Sequence, residues 1–314
     1  MSDTIFITGG LGFIGKHLVK RLLKDTNSNI ITLTRTKQEA SDSGLPRKRV
    51  TRYIGNIQDK QIVQKIAKQS TQIVHLAAEH STKVSVEEMI NTNVIGTINI
   101  LEACVELSIN KLIFLSTAGV YKDAHEHKPL DEESQVYPIN PYSISKLATE
   151  QFVNYYYRSH KVPSVIIRLF NIYGPNQQPN QMIPLFISRL LENKKIFLNH
   201  GGVQHRDWIF VDDVVSAIIS VLTTQNSKII GETYNIGTGV SISVSQVAKS
   251  IMKLLHAEET LLMKSNSSPV EINRSVADCK KIYNDLGWRS TTSFKEGIQK
   301  TIDWHKIMNK VLTI

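Results

Sequence analysis

Hydrophobic and polar positions in the first half of the chain form two alternating kinds of segment. Six short runs are rich in β-branched and apolar residues, as buried strands are: Ile5 to Thr8, Ile30 to Thr34, Val50 to Ile54, Ile73 to Leu76, Leu112 to Ser116 and Val165 to Phe170. Most stretches between them carry apolar residues at the spacing of an amphipathic helix. This alternation predicts an α/β fold with a doubly wound parallel sheet, covered by helices on both faces.

The pattern becomes less regular after about residue 170. Turns are predicted at Gly174-Pro175 and Gly201-Gly202, and helices over 181–193, 212–223, 244–256, 278–286 and 294–310. A chain of 314 residues is long enough for roughly two domains. We therefore predict a cofactor-binding domain over 1–170 and a smaller mixed α/β substrate domain over 171–314, whose segments can interleave.

Composition excludes several classes of protein. Hydrophobic residues make up 41% of the chain, which is enough to bury a core, and 16 Gly with 9 Pro are too few for a fibrous protein. No apolar run approaches the roughly 20 residues of a membrane-spanning helix, and no basic leader precedes Ile5. Cys104 and Cys279 are far apart in helical patterns, so we expect two buried thiols in a reducing cytoplasm.

The formal charge of +9 favours anionic ligands but does not choose among them. The tightest basic cluster is Arg47-Lys48-Arg49 with Arg52, and Tyr53 is the one aromatic residue beside it. Nucleic-acid surfaces usually interleave more aromatic side chains for base stacking. We therefore expect no nucleic-acid partner and favour a phosphorylated small molecule.

A glycine-rich turn follows the first predicted strand. Gly9, Gly12 and Gly15 lie in the segment TGGLGFIG and lead into a predicted helix, with Phe13 and Ile14 in its first turn. Glycines here permit a tight turn and let the backbone approach a pyrophosphate at the helix N-terminus. Strand, loop and helix in this order predict a Rossmann-type dinucleotide site that includes these five residues.

Three later strand ends extend the predicted cofactor site. Arg35 stands where an acidic residue would usually bind the ribose of NAD, so its guanidinium favours the 2′-phosphate of NADP over NAD. Asn56 and Ile57 follow the third strand, where they can hold the adenine. Leu76-Ala77-Ala78 follows the fourth strand and keeps side chains small along the path of the cofactor.

Candidate catalytic residues follow the fifth strand. Thr117 directly follows that strand, and Tyr142 and Lys146 lie four residues apart, on one face of a predicted helix. A phenol with a pKa of about 10 is a weak base at neutral pH, but a fixed cation and a nicotinamide charge can lower that pKa. We predict that Tyr142 is the general acid/base, with Thr117 at the same reacting oxygen.

At this point the chain resembles the extended short-chain dehydrogenases/reductases of the nucleotide-sugar epimerase/dehydratase family along nearly its whole length. The segments that carry the resemblance are TGGLGFIG at 8–15, VHLAA at 74–78, NTNVIGTINILEA at 91–103, LSTAGVY at 115–121, NPYSISKLATE at 140–150, RLFNIYGP at 168–175, RDWIFVDD at 206–213 and YNIGTG at 234–239. The resemblance implies bound NAD(P), a nucleoside diphosphate sugar in the cleft between the domains, and hydride transfer at the sugar ring.

The resemblance also implies roles for individual residues. Thr117, Tyr142 and Lys146 match the family's catalytic residues, Asn171 matches an Asn at the substrate phosphates, and Arg206 matches an Arg that clamps the diphosphate or nucleoside. One departure concerns the nucleotide pocket, because His200-Gly201-Gly202 stands in place of the family's usual Gly-Asp-Gly. No metal ligands are implied.

A second departure separates the possible reactions. Ala118 and Gly119 follow Thr117, where related 4,6-dehydratases resemble Thr-Asp-Glu and use the acid pair for elimination. Small residues resemble the epimerase and 4-ketoreductase branches. We therefore expect a C4-epimerase, with an NADPH-dependent 4-ketoreductase as the alternative that Arg35 favours. A 4,6-dehydratase and a non-catalytic NADP(H)-sensing protein are the remaining alternatives, and the intact Thr117, Tyr142 and Lys146 argue against the latter.

Two further expectations concern side chains outside this set. Glu79, His80 and His205 are the ionisable residues that we would consider as extra bases, although each is more often structural. Long amphipathic helices over about 84–107 and 142–160 form a dimer interface in similar proteins, so a homodimer is expected, unless these helices only cover their own sheet.

Overall fold

The computed structural model of the chain describes residues 3–41, 44–46, 48–124, 128–265 and 272–312. Its strands are β1 (Thr4–Thr8), β2 (Asn29–Thr34), β3 (Val50–Ile54), β4 (Gln72–His75), β5 (Lys111–Thr117), β6 (Ser164–Leu169), β7 (Asn171–Tyr173), β8 (Ile196–Asn199), β9 (His205–Phe210), β10 (Thr233–Ile236), β11 (Ser241–Ser243), β12 (Leu262–Ser265) and β13 (Arg274–Ser275). Arg47, part of the predicted basic cluster, lies outside the described residues.

The α-helices alternate with these strands in the first half of the chain. They are α1 (Phe13–Asp25), α2 (Lys37–Ser41), α3 (Lys60–Ala67), α4 (Val86–Ile90), α5 (Gly96–Leu107), α6 (Pro141–His160), α7 (Met182–Leu191), α8 (Val211–Thr223), α9 (Val244–Leu255), α10 (Lys280–Leu286) and α11 (Phe294–Leu312). A π-helical turn, Asn91–Ile95, joins α4 to α5, so the long helix predicted over 84–107 is continuous but locally widened.

Seven parallel strands form the large sheet, in the order β10-β6-β5-β4-β1-β2-β3. The chain starts at β1 and winds outward in both directions, so the strand order reverses between β1 and β4. Ligands of such sheets bind at the carboxyl ends of the strands beside this point. The predicted α/β doubly wound fold is confirmed, and its six predicted strands lie within two residues of their observed ends.

Helices cover both faces of the large sheet. On one face, Leu18 and Leu22 of α1 and Ile218 of α8 are buried in the same apolar cluster as Ile7 of β1. On the other face, α3, α5 and α6 contribute to a second cluster around Phe6 and Phe114. Because both faces of the sheet are buried, its strands are continuous apolar runs and do not alternate between apolar and polar residues.

Most of the chain after residue 170 forms smaller structures around β9. Three strands, β7, β11 and β13, pair with β9, while β8 and β12 form a separate two-stranded sheet. Helices α7, α9 and α11 share one apolar core with β9. Strand β10 and helix α8 instead join the large sheet and its covering layer. The division at residues 170 and 171 stays a prediction.

Several smaller expectations can be compared with the structure. Cys104 is buried as expected, but the expectation for Cys279 was wrong, because this residue precedes the first turn of α10 and remains partly exposed; both thiols are free. Arg49 donates to the carbonyl oxygens of Thr26 and Leu23, so the side chain of this member of the basic cluster is bound to the backbone after α1 and at its end. In the described part of the chain, no helix is both long and apolar enough to cross a membrane.

Candidate active site

A cleft of about 1100 Å³ opens at the carboxyl ends of the large-sheet strands. Its wall combines the glycine loop, the ends of β2, β4 and β5, the first turns of α6, and the segment after β6. All the predicted cofactor and catalytic residues line it: Gly9, Gly12, Phe13, Ile14, Gly15, Arg35, Asn56, Ile57, Leu76, Ala77, Ala78, Thr117, Tyr142 and Lys146. The structure therefore brings together side chains from six separate parts of the sequence.

The glycine loop fits a dinucleotide because side chains are excluded where the backbone must stay close. Gly9 adopts a positive φ of 66°, and a Cβ there would lie 2.9 Å from the Ala77 nitrogen. A Cβ at Gly15 would collide with the carbonyl oxygen of Gly9. Gly12 stands immediately before α1 without a side-chain cap, so the first N–H groups of the helix are open to the cleft.

Buried His75 fixes the backbone beneath this loop. Its Nδ1 lies 2.6 Å from the Thr8 hydroxyl, and its Nε2 lies 2.8 Å from the Thr97 hydroxyl. Thr97 donates to the Asn93 carbonyl, and Thr8 accepts from the Ala77 N–H, so the consistent assignment is a neutral ring protonated at Nε2. Burial accordingly lowers the pKa of His75 to about 3. This network holds the loop after β4 in place.

The predicted adenosine side of the cleft is formed after β2 and β3. The Arg35 guanidinium lies 3.7 Å from a carboxylate oxygen of Glu79, and about two thirds of its side chain remains exposed. Ile57 is buried, and its carbonyl accepts from the amide of Asn99. Asn56 is exposed and accepts a hydrogen bond from the backbone of Gln58.

Glu79 is more firmly held than an exposed cleft residue would be. One carboxylate oxygen accepts from the backbone N–H groups of His80 and Ser81. The amide of Asn93 contacts both the N–H and the C=O of Glu79, and also donates to the hydroxyl of Ser145 on α6. Glu79, one of the candidate extra bases, instead shapes the turn that carries His80.

Two local structures, the end of β5 and the start of α6, position the catalytic candidates. Thr117 ends β5, and its hydroxyl accepts from the Gly119 N–H at 3.1 Å. Helix α6 begins with Asn140 as its cap, whose amide oxygen accepts from Ser143 N–H at 2.9 Å, and with Pro141 at its first position. This start places Tyr142 in the first turn and Lys146 one turn later, facing the cleft.

Both titratable catalytic candidates have strongly shifted pKa values. Burial raises the pKa of Tyr142 to about 12, and the ring of His80 packs edge-on against the phenol with 6.3 Å between centroids. Burial lowers the pKa of Lys146 to about 7, which the charge of Glu150 partly opposes. The Lys146 ammonium can therefore lose its proton near neutral pH. Additional positive charge is needed to make Tyr142 an effective base.

The structure places the two predicted substrate residues differently. Asn171 begins β7 and lines the cleft. Arg206 lies on β9, donates to the carbonyl of His205 at 2.9 Å, and is not among the residues that line this cleft. Its neighbour Asp207 is fully buried and accepts from the backbone of Thr238 and Gly239.

Sequence reasoning missed several residues of the cleft. Amides at Gln177, Gln178 and Gln181 line its wall after β7, and Lys16 lines it beside the glycine loop. The Gly174-Pro175 turn predicted only that a loop lies here. Across the described ranges, no group of three or more His, Cys, Asp or Glu side chains could hold a metal ion.

Ala118 and Gly119 follow Thr117 and place no carboxylate next to it. Ala118 is buried at 6% exposure. A Cβ at Gly119 would lie 2.6 Å from the hydroxyl of buried Ser143, so a larger residue at position 119 requires that hydroxyl to move. Local packing thus matches the small residues in the sequence.

A phosphate-binding glycine loop and a Tyr-Lys pair in one cleft of a doubly wound sheet define an enzyme that uses a nicotinamide dinucleotide. Residues 5–237 match the model of the NAD dependent epimerase/dehydratase family. The chain belongs to this family and is an NAD-dependent enzyme of the extended short-chain dehydrogenase/reductase type.

Its relatives carry out more than one reaction. The chain is 36% identical to human dTDP-D-glucose 4,6-dehydratase, over 96% of this chain and 89% of that one. A crystal structure of UDP-glucose 4-epimerase from Thermotoga maritima with UDP-glucose has a TM-score of 0.90 at 28% identity, covering 98% and 99% of the two chains. The structure of dTDP-glucose 4,6-dehydratase from Bacillus anthracis in complex with NAD also has a TM-score of 0.90, at 29% identity and 98% coverage of both chains.

Proposed function

We propose that this protein is a nucleotide-sugar C4-epimerase that acts through a transient 4-keto sugar and a tightly bound NAD(P). One observation carries the proposal: Thr117, Tyr142 and Lys146 line the cleft of the glycine loop, while Ala118 and Gly119 supply no acid beside them. The chain can therefore move the C4 proton, but lacks the acid pair that the family's dehydratases use for elimination.

The chain's own residues support the proton transfer. Tyr142 takes the proton of the C4 hydroxyl and later returns it, and Thr117 hydrogen-bonds the same oxygen. Lys146 supplies a positive charge that offsets the cost of a buried phenolate at Tyr142. When bound, the nicotinamide supplies the hydride chemistry at C4. The cleft of about 1100 Å³ would be the space in which the 4-keto sugar turns to present its other face.

A 4,6-dehydratase is an alternative to the epimerase because several relatives have that name. Such a reaction must remove a proton from C5 and expel the hydroxyl at C6, which requires an acid and a base near the sugar. Among the residues that the structure describes, the carboxylates that line the cleft are Glu79 and Glu88, and Glu79 already binds two backbone N–H groups. We therefore favour epimerisation over 4,6-dehydration as the reaction of this protein.

A 4-ketoreductase is the second candidate, and Arg35 is the observation that favours it. Its exposed guanidinium lines the cleft at the end of β2, where a 2′-phosphate of NADP would lie. Reductases usually draw on the NADPH pool, whereas an epimerase regenerates its cofactor in every cycle. Glu79 near Arg35 offers an acidic group at the same place, so binding of NAD is compatible with the site, as in the family's NAD complexes.

We further propose that the substrate is a nucleoside diphosphate sugar. Asn171 lines the cleft and can donate to a phosphate. For Arg206, the proposed role at the diphosphate or nucleoside requires a substrate that extends beyond the cleft to β9. Arg274, beside β9, donates to the hydroxyl of Ser241 and would add a second positive charge there.

We also propose that the protein is a homodimer in the cytoplasm. Apolar side chains stay exposed along α4 to α6, among them Ile90, Ile95, Ile144, Phe152 and Tyr155. A second copy could cover this face by placing its own α5 and α6 against it. The two free thiols suit a reducing compartment. Light scattering of the purified protein measures the oligomeric state directly.

The first experiment on this proposal identifies the cofactor and the substrate. Denaturation of the purified protein releases any bound dinucleotide for identification as NAD or NADP. UDP-, dTDP-, GDP- and CDP-sugars are then screened with and without added NADPH, and products are assigned by NMR. The proposal predicts a 4-epimer without added NADPH. A 4-keto-6-deoxy product would establish the dehydratase instead.

A further inference from the structure

His17 joins three separate segments at the edge of the cleft. It lies in α1, and its half-buried ring has both nitrogens in contact with acceptors. Nδ1 is 3.0 Å from a carboxylate oxygen of Asp212 in α8, and Nε2 is 2.9 Å from the carbonyl oxygen of Pro175. The ring of Phe13 packs edge-on against it with 5.9 Å between centroids.

The two partners determine the charge of the ring in this arrangement. The carbonyl of Pro175 can only accept a hydrogen bond. Hydrogen bonding to His17 also lowers the pKa of Asp212, so that its carboxylate is ionised and accepts as well. Both contacts are hydrogen bonds only when both nitrogens of His17 carry hydrogen, because a neutral imidazole has only one N–H. An imidazolium, with an N–H on each nitrogen, is the form of the ring that donates to both acceptors at once.

The contacts of His17 connect the two sides of the cleft. Helix α1 starts directly after the glycine loop, one turn before His17. Pro175 is the second residue of the loop from 174 to 181, which supplies Gln177, Gln178 and Gln181 to the cleft wall. The amide of Gln177 donates to the carbonyl of Ile172 at 2.9 Å, which ties the loop to β7. His17 ties the loop to α1 through the carbonyl of Pro175.

We propose that protonated His17 is a positioning residue that holds the 174–181 loop against the cofactor helix. When the ring loses one proton, the other stays on Nδ1 beside the Asp212 carboxylate, which is a stronger acceptor than a carbonyl, so Nε2 no longer donates to Pro175 and the loop is released. The proposal rests on the proposed function in taking the loop as the substrate side of the cleft. Histidine is the side chain that ordinarily changes charge between about pH 5 and 8. Substrate affinity should then fall as the pH rises.

Other charged groups face this junction from the helices around it. Asp213 follows Asp212 in α8, but its carboxylate accepts from the backbone of Thr291 and Thr292. On α1, Arg21 pairs with Asp25, and Lys16 lines the cleft. From α11, Lys300 pairs with Glu296 at 2.8 Å and also favours the ionised form of Asp212. Asp212 is thus the carboxylate in hydrogen-bond contact with the ring.

Three variants of the cofactor-loaded enzyme test this role. His17→Gln is close in size and cannot titrate, and Asp212→Asn keeps an acceptor but removes its charge. Lys20→Gln is the matched control, because it removes a positive charge from the exposed face of the same helix. For each protein, kcat and KM for the best substrate of the screen are measured from pH 6 to pH 9.

The wild-type KM should rise by about tenfold across this range, the size expected for loss of one hydrogen bond to a charged group. Any change of kcat with pH that comes from Lys146 should be the same in the wild type and in the variants. His17→Gln should have a KM that does not depend on pH, because its amide cannot titrate. Asp212→Asn should move the rise to lower pH, and Lys20→Gln should match the wild type. A pH-independent KM in the wild type, or the same pH-dependent rise in His17→Gln, would overturn the proposal.

A second readout separates this proposal from the proposed function, because it needs no turnover. Side-chain ¹⁵N NMR of NAD⁺-loaded protein, assigned with His17→Gln, reports the protonation of both ring nitrogens. Hydrogen exchange of residues 174–181, corrected for intrinsic rates, reports release of the loop. Two protonated nitrogens at pH 6, with exchange that accelerates as they titrate, support the proposal even if epimerisation is not found. The proposal is contradicted if the His17 ring is neutral at pH 6, or if hydrogen exchange of the loop does not change as the ring titrates.

Discussion

The Nζ atom of Lys146 lies 4.1 Å from the centre of the Phe114 ring, on the protein side of the cleft. An ammonium over an aromatic face gains some attraction, but this does not replace the lost water, and burial lowers the pKa of Lys146 to about 7. In the same cleft, burial raises the pKa of Tyr142 to about 12. The acid/base chemistry of this pair therefore depends on positive charge close to the phenol.

The strongest consequence for activity concerns Tyr142. Tyr142→Phe should lower kcat by about 10²–10⁴-fold, because the ring still packs and only the proton carrier is lost. Thermal stability and the amount of bound dinucleotide should stay near the wild-type values. Tyr283→Phe, at an exposed tyrosine of α10, is the control. A loss of activity below about tenfold would show that another group is the base.

The buried ammonium of Lys146 predicts a pH dependence of stability. In the unfolded chain Lys146 keeps its proton to about pH 10.4, whereas in the folded, cofactor-free protein it gives it up above about pH 7. The unfolded state thus binds more protons between these values, so this group makes the free energy of unfolding rise with pH, by about 1 kcal/mol per pH unit. Urea unfolding of the wild type and Lys146→Met at pH 7 and pH 9 measures the difference. Equal slopes in the two proteins would show that Lys146 keeps its proton when folded.

Lys111 predicts an effect on stability alone. Its ammonium donates to the carbonyl oxygens of Val221, Leu222 and Thr224 at 2.9, 3.2 and 3.0 Å, and so caps the end of α8. Lys111→Met should lower the free energy of unfolding by about 1–3 kcal/mol, because these carbonyls lose a charged donor. Lys228→Met, at an exposed lysine, should change little. Denaturant midpoints that do not differ between the two variants would argue against the cap.

Arg35 predicts cofactor choice. Arg35→Asp should weaken the binding of NADP far more than that of NAD, because the new carboxylate repels a 2′-phosphate. Arg289→Asp makes the same change of charge at an exposed position and is the control. Dissociation constants for both dinucleotides, measured by calorimetry, check this. Equal weakening of both would mean that Arg35 does not contact the 2′-position.

The large sheet could be predicted from the sequence because the residues within each strand are enough to identify that strand. Each buried parallel strand is a continuous apolar run, and the glycine loop marks where the first one ends. Strand β10 was not predicted, since nothing near Thr233–Ile236 shows that it pairs with β6. Strands such as β11 and β13 are two or three residues long, too short for a hydrophobic period to appear.

The same distinction applies to the candidate site. Motifs with fixed local geometry, such as Tyr142 and Lys146 on one helix face, identified residues that the structure brings into one cleft. Contacts set by loops were not foreseen: the amide of Asn93 bound to the backbone of Glu79, and the carbonyl of Pro175 bound to His17. These depend on where distant segments pass each other, which local spacing does not encode.

The central claim is that hydride leaves and returns at C4 within one active site. The most direct measurement follows a nucleotide sugar deuterated at C4, incubated with the purified enzyme without added NADPH, by NMR of the product. We predict the 4-epimer with deuterium retained at C4. Deuterium at C6 of a 4-keto-6-deoxy sugar would establish a dehydratase. Absence of reaction with 4-hydroxy sugars, together with consumption of one NADPH per 4-keto sugar reduced, would contradict the epimerase and establish the reductase.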